Sequence, residues 1–457
     1  MNKEMRIEKI SEILNQNPIW SKELLWKGAL KTFDVYEVPL KNLIYNKYNG
    51  RILSRTKSLE QQGWDIKSDT EAWKLVIEDL LWKSKIDRNQ KTLKDLEKFW
   101  QKEYWIITKD WIIIDWNRRA MLLNKIPKYE YFKTVILDIT LEENPIEIQK
   151  LETSYQMWED EKLWYNPIEK YLKSKDLLNQ WVSVEQISDW MWETKATIEW
   201  YLSVMNTMDD YLDYLGYNWI YTQLDWREDQ FISLTWWLSN FYDNQSAKWF
   251  DWYNNGDVDD LKTIAFDYIR AKYEWKSFRS LANWQKQNHF FWNKEIWESF
   301  KTSHFEKIIP IQDLEEKINF DSPDLKSTLD SRDSKFIDDS YDLLKQNLED
   351  HETKLGNQLH KNEPLKLVNK AIDAISVAKI NKNSKNDDVI EKIEVLDNIL
   401  ESMMFSKSPK SILKKVIELL NSLNSTKVSD NDKNEILTYT KDIQKITYQL
   451  EKDIKTN

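Results

Sequence analysis

Two short segments of this chain carry the residue types best suited to holding an anion. Asp115-Trp116-Asn117-Arg118-Arg119 stands where the β-rich run WIIID gives way to the helical run NRRAMLLNK. The first turn of a helix has unpaired backbone N–H groups and the positive end of the helix dipole, so a phosphate is well received there. Two arginines add charge-assisted donors. The plainer alternative for an Arg pair in a first turn is a solvated surface. Arg51, in YNKYNGRILSR with Asn46 and Asn49 beside it, is a second basic candidate following a strand.

Other chemistries find no support in the residues. Zero Cys removes disulfides, thiolate zinc sites and cysteine nucleophiles together. The four His, at 289, 304, 351 and 360, show no HExxH or comparable metal spacing. Neither GxxxxGK nor GxGxxG occurs, even with every Trp read as Gly. Carboxylates are abundant, and spacing nominates no pair as acid and base.

The elements that must position these residues alternate helix and strand from about residue 33. TFDVYEVPL reads as a strand, TEAWKLVIEDLLWKS and TLKDLEKFWQ as helices, YWIIT and WIIID as strands, and FKTVILDIT as a last strand. Residues 1–32 read as a helical lead-in. Residues 159–215 become nearly all helical. Pro167 sits in the first turn of NPIEKYLKSKDLLNQ, Ser183 is the expected N-cap of SVEQISDWM with Gln186 three residues on, and TKATIEWYLSVM comes after a short turn. That spacing fits a helix-turn-helix, or alternatively a plain helical connector. A helical extension (216–300) and a helical C-terminal region (301–457) complete the division, with KINKNSKNDD as a flexible linker. DVIEKIEVLDNILESMM and SPKSILKKVIELLNSL are amphipathic helices expected to pack on each other or on a second chain.

Glycine is scarce and tryptophan abundant: 6 Gly and 25 Trp, together 31, in 457 residues. Average usage of about 7% would give roughly 32 glycines. Positions needing φ > 0 tolerate little but glycine. Trp111 follows Asp110 between two strand-like runs, where Asp-Gly would make a hairpin turn. Trp116 follows Asp115 before a helix, and Trp181 stands where a helix ends. These letters therefore read as glycine codons that the source organism recodes (UGA). The alternative, a genuine aromatic binding face, predicts clustering rather than scatter at turns.

Three blocks in order resemble the N-terminal region of ParB-type partition proteins, that is, a ParB/sulfiredoxin fold followed by a helix-turn-helix. VPLKNLIYNKYNGR is similar to the family's first box, closing on Arg51. WIIIDWNRRAML, with Trp116 read as Gly, resembles the Gly-x-Arg-Arg box that binds nucleotide phosphates in the family, at Trp116, Asn117, Arg118 and Arg119. The stretch from Leu151 to Met205 resembles the acidic-Gln-Arg box joined to an Asn-Pro-x-Glu element and the helix-turn-helix. Glu152 and Gln156 are the nearest equivalents in the box, and Asn166, Pro167 and Glu169 match the Asn-Pro-x-Glu element. Met157 stands where the family's closing Arg is expected, and without Cys the sulfiredoxin branch of the chemistry is excluded.

The resemblance implies an α/β (α+β) domain over residues 33–158, then a helix-turn-helix. It implies a nucleotide site formed by Asn46, Asn49, Arg51, Asp115, Trp116, Asn117, Arg118, Arg119, Glu152 and Gln156, taking CTP or another nucleotide with Mg²⁺. DNA would be met by Thr194, Lys195 and Thr197 at the start of the recognition helix. A homodimer acting in partition, regulation or a mobile element is implied by the same likeness. A nuclease or NTPase on this fold and a purely interacting protein are the alternatives. Charge restrains the DNA expectation. Residues 1–150 hold 27 basic against 23 acidic residues (+4), residues 151–457 hold 39 against 54 (−15), and residues 161–215 hold 5 against 10 (−5). Phosphate neutralisation dominates nucleic-acid affinity, so such a helix-turn-helix binds weakly or through few residues. The N-terminus lacks a signal-peptide core and no long apolar window occurs, so a cytoplasmic setting without membrane contact is expected.

Overall fold

The computed structural model describes the chain apart from residues 1–2, 102, 161–166, 241–249, 251, 275–276, 283–285, 316–317, 319, 321–324, 382–385, 406–408, 423–432 and 457. It divides into two compact units, Met1–Leu359 and His360–Asn457.

The first unit opens on α1 (Lys3–Leu14), followed by an antiparallel hairpin of β1 (Trp20–Trp26) and β2 (Ala29–Pro39). The first 32 residues, expected to be a helical lead-in, thus contain a strand and part of a second. Sequence periodicity missed β1 because it is an edge strand. Trp20 and Leu25 lie on opposite faces and are both exposed, and Lys22 shares its face with the buried Leu24 and Trp26, so polar and apolar residues do not alternate cleanly. After α2 (Leu53–Gln61), α3 (Glu71–Ser84) and α4 (Ile86–Phe99) come β3 (Trp105–Thr108), α5 (Asn117–Asn124) and β4 (Tyr131–Leu137). The four strands lie in the order β1-β2-β4-β3, with β3 parallel to β4 and the other pairs antiparallel. Ile106 faces a cluster with Val35, Ile114, Val135 and Ile148, whereas Trp105 and Ile107 face one with Val38, Leu81, Ala120 and Met121. Alternation with a period of two buries both faces of the sheet. An α+β domain is therefore present where one was expected.

WIIID does not form a strand. Ile112 and Ile113 make isolated bridges to Ile44 and Ile107 instead. The turn before them has three residues, Lys109, Asp110 and Trp111, closed by Trp111 N–H donating to the Thr108 carbonyl and Thr108 N–H to the Ile112 carbonyl. Trp111 holds φ 74° at the third turn position, where glycine is usual. Its indole is nevertheless buried, and Nε1 donates to the Arg6 carbonyl at 2.7 Å.

Helix α6 (Pro145–Asp160) lays Ile148 and Leu151 on the sheet. A trihelical group comes next: α7 (Pro167–Asn179), α8 (Val184–Met191) and α9 (Lys195–Tyr214). Leu177, Val182, Ile187, Trp190, Met191 and Ile198 form its small core. Ser183 caps α8 as expected, its hydroxyl accepting from Gln186 N–H while the Gln186 side chain accepts from Ser183 N–H. The unit is completed by α10 (Glu228–Leu238), α11 (Asn255–Arg270), α12 (Lys294–Asp313) and the long α13 (Leu325–Leu359), packed on a large aromatic core with α9.

The second unit consists of α14 (Pro364–Ile380), α15 (Asp387–Phe405), α16 (Pro409–Ser422) and α17 (Lys433–Thr456). No residue of α14 is buried, and Ile372, Ile393, Ile399, Ile446 and Ile454 are all exposed. Among the described residues no helix is long and apolar enough to cross a membrane.

Nine described residues other than glycine have positive φ, and seven of these are Trp: 100, 111, 116, 181, 192, 219 and 226. The end of α7 shows what the backbone needs there. Val182 N–H donates to the Leu177 carbonyl and Trp181 N–H to the Leu178 carbonyl. The same pair of bonds closes α2 around Gly63 and α9 around Gly216. This is the Schellman motif, whose C′ residue is normally glycine.

Candidate functional site

The loop after β2 and the N-terminus of α5 converge although about sixty residues separate them in sequence. Asn117 ties them together. Its Oδ1 accepts from Asn46 N–H at 2.8 Å, and its Nδ2 donates to the Ile113 carbonyl at 3.1 Å. Asn46 in turn shapes its own loop by accepting from Tyr48 N–H at 3.0 Å. Asn49 does the same for Arg51, whose N–H it receives at 3.2 Å. The result is a small pocket lined by Asn49, Arg51, Asp115, Trp116, Asn117, Arg118 and Arg119. Seven of the ten expected nucleotide-site residues are therefore brought to one place. Asn46 lies behind the lining, and Glu152 is a buried neighbour. The Gln156 side chain and Asn166 lie outside the described residues.

Trp116 is the N-cap of α5, in the left-handed region with φ 73°. The Arg119 guanidinium lies over its ring, 3.2 Å from the centroid, and Trp105 is stacked against the same ring at 5.7 Å. The free volume beside these groups is about 20 Å³, room for roughly one water and far too little for a phosphate.

Behind the pocket lies a row of buried charge, of which sequence reading singled out Glu152 and Glu169 but not Lys173. Asn49 Nδ2 donates to Glu152 Oε1 at 3.3 Å, and Glu152 Oε2 is 3.6 Å from Lys173 Nζ, both charged side chains being essentially inaccessible. Lys173 sits four residues after Glu169 in α7, a spacing that reads as an exposed helical ion pair. The two instead point to different partners. Glu169 receives Ser54 Oγ at 2.5 Å and Ser54 N–H at 3.1 Å. Burial raises its carboxyl to about 7, against the opposing pull of the Ser54 bonds and the charge of Arg55. Arg55 itself is held by Asp225 at 2.6 Å. Only the near-total burial of α7, set by tertiary packing, exposes these roles.

At the start of α9, Thr194 is the N-cap and accepts from Thr197 N–H at 3.1 Å. Lys195 reaches back to Glu185 of α8 at 2.6 Å, both side chains being more than half exposed. These three residues stand together at the helix start, and each is engaged locally. Among the described residues no group of three or more His, Cys, Asp or Glu could hold a metal ion.

Two solved structures align with about half of this chain. One is the C-terminally truncated chromosome-partitioning protein ParB from Caulobacter crescentus complexed to the centromeric parS site. It has 10% identity and a TM-score of 0.28, over 54% of this chain and 97% of the other. The second is a Pnob8-like ParB-N domain, with 10% identity and a TM-score of 0.32, over 55% and 98%. No protein-family model matches the sequence, and no curated protein does. Likeness at this level transfers no function, so a functional reading must rest on the site itself.

Proposed function

We propose that the N-terminal α+β domain binds the phosphates of a nucleotide at Arg51, Arg118 and Arg119, within a ParB-like DNA-binding protein acting in partition, regulation or a mobile element. The observation that carries this reading is the convergence of the Asn46–Arg51 loop on the α5 N-terminus through Asn117. Arg51, Arg118 and Arg119 line one pocket at this helix N-terminus, and free backbone N–H groups, the helix dipole and guanidinium donors are what an anionic phosphate chain requires. CTP is the nucleotide the resemblance favours. Mg²⁺ would arrive with it, Asp115 being the carboxylate on the pocket wall.

The reading includes glycine at position 116 in the native protein. Support comes from φ 73° at Trp116, from the other six Trp at positive φ, and from the Schellman closure that Trp181 shares with Gly63 and Gly216. DNA would be met at the start of α9, and the exposed apolar faces of α14–α17 would join two copies.

The experiment is isothermal titration of CTP and ATP with Mg²⁺ into the chain as written, into Trp116→Gly, and into Trp116→Gly carrying Arg51→Ala or Arg119→Ala. Binding should appear or tighten at least tenfold on Trp116→Gly and be lost with either arginine. Absence of binding in both parent chains, with the fold intact by circular dichroism, defeats the proposal.

A further inference from the structure

Helices α12 and α13 pack against each other, and between them lies a hydroxyl–imidazole pair that the phosphate site does not use. His351 of α13 is 4% exposed, and its ring meets Phe300 of α12 edge to face at 5.5 Å. Its Nδ1 lies 2.7 Å from the Asn347 carbonyl. A carbonyl only accepts, so Nδ1 carries the proton and the Nε2 lone pair of the neutral ring is left free. Burial, followed by the charges of Lys354 and Lys307, pushes the imidazole below its ordinary 6.5 against the Asn347 bond and the charge of Asp350. At neutral pH the ring is therefore an uncharged base.

Ser299 of α12 is exposed, and its Oγ lies 3.0 Å from that Nε2. With Nε2 unprotonated, the hydroxyl is the donor. Lys354, one turn beyond His351, donates to Ser299 Oγ at 3.3 Å and also stands 3.0 Å from Nε2. An ammonium donating to Oγ leaves the Nε2 lone pair to the hydroxyl and favours the serine alkoxide. A nucleophile, its base and a group that orients the base thus stand in one row: hydroxyl, imidazole, carbonyl. Asn347 Nδ2 donates to the Phe300 carbonyl at 3.2 Å, so α12 and α13 are tied together one residue away from Ser299.

We propose that Ser299 is an acyl-accepting nucleophile, with His351 as its general base and Lys354 as the cation that receives the developing oxyanion. Ser299 and Lys354 are both exposed, which suits an activated carboxylic ester with a small acyl group. Ser299 Oγ bonds to the ester carbonyl carbon while its proton passes to His351 Nε2. Collapse of the tetrahedral adduct breaks the bond to the leaving oxygen, which takes the proton from Nε2. Water, deprotonated by the same Nε2, then releases the acyl group as a carboxylic acid, and the proton returns to Ser299 Oγ. This activity is independent of the phosphate site.

The test is p-nitrophenyl acetate with the full chain, read by p-nitrophenolate release and by mass spectrometry of the peptides carrying residues 299 and 354. An acetyl group appears on Ser299 in the folded chain and not in urea, and its rate of formation rises with pH to a plateau with a midpoint below 6.5. Ser299→Ala, an exposed change that keeps the fold, removes the adduct. His351→Gln slows acetylation at least tenfold with circular dichroism unchanged. Lys354→Met slows it at least threefold, and Lys354→Arg restores it. Acetyl groups on lysines alone overturn the proposal. So does a Ser299 adduct that forms as fast in urea or with Gln at position 351, which leaves the row as a tie between two helices.

Discussion

Trp181 and Glu169 show how much a single residue's environment decides. The Trp181 side chain is 96% exposed and its backbone has φ 67°, so the residue bears left-handed strain of about 1–2 kcal/mol without compensating burial. Trp181→Gly is expected to raise unfolding free energy in urea by about 1 kcal/mol, and a fall would contradict the strain argument. Trp111 shares the dihedral but buries its ring and donates a hydrogen bond, so the same change there removes packing as well as strain. Glu169 supplies a pH signature. Its carboxyl lies at about 7 when folded against an ordinary glutamate value of 4.5, so between those limits the native state holds the extra proton. Stability from this group is greatest below pH 4.5, declines as pH rises to 7 and falls no further above it, by roughly 3 kcal/mol in all. Glu169→Gln should flatten that part of the pH–stability curve, and an unchanged slope between pH 5 and 7 would refute the assignment. His289, buried against Trp237 and lowered to about 3, acts in the opposite sense by losing stability as pH falls below 6.5.

At the scale of elements, α7 matters most because it is buried nearly all round and carries charge inward. Lys173 and Glu152 are buried together, and through Asn49 they brace the loop that presents Arg51. Removing one member of such a pair leaves the other charge buried and uncompensated, which costs about 3–5 kcal/mol. Lys173→Met should therefore be strongly destabilising, whereas Lys173→Met with Glu152→Gln should recover most of the loss in a double-mutant cycle. Additive losses would show that the two side chains do not interact. Helices α3, α7 and α8 were legible in the sequence because each combines apolar periodicity with a start signal. Thr70 caps α3, and Ser183 with Gln186 boxes α8. The WIIID strand was not legible as what it is. Three consecutive isoleucines carry β propensity, but here they bridge two neighbours at single points instead of joining a ladder.

For the molecule as a whole, the two units predict separable behaviour. A chain ending at Leu359 should keep the nucleotide response and the cooperative unfolding of the first unit. It should also sediment as a monomer where the full chain associates through the exposed faces of α14–α17. A full chain that is itself monomeric at tens of micromolar would remove the homodimer from the proposal. DNA binding, if carried by α9, should show a shallow dependence on salt. The trihelical region has a net charge of −5, and Lys195 is already paired with Glu185, so few phosphates are neutralised. A steep salt slope in gel-shift titrations would move the DNA surface to the basic N-terminal part.

The sequence alone determined most of the elements, their caps, the absence of thiol chemistry and the residue types of an anion site. It also flagged Trp116 and Trp181 as positions where the backbone wants glycine, because turn and cap signals are local and can be read in a few residues. The tertiary structure decided what the sequence could not. It brought Asn46 and Arg51 against Asn117, and sent Glu169 and Lys173 to opposite partners. Those outcomes depend on contacts between residues tens to hundreds of positions apart, and their free energies come from burial, which no local pattern encodes.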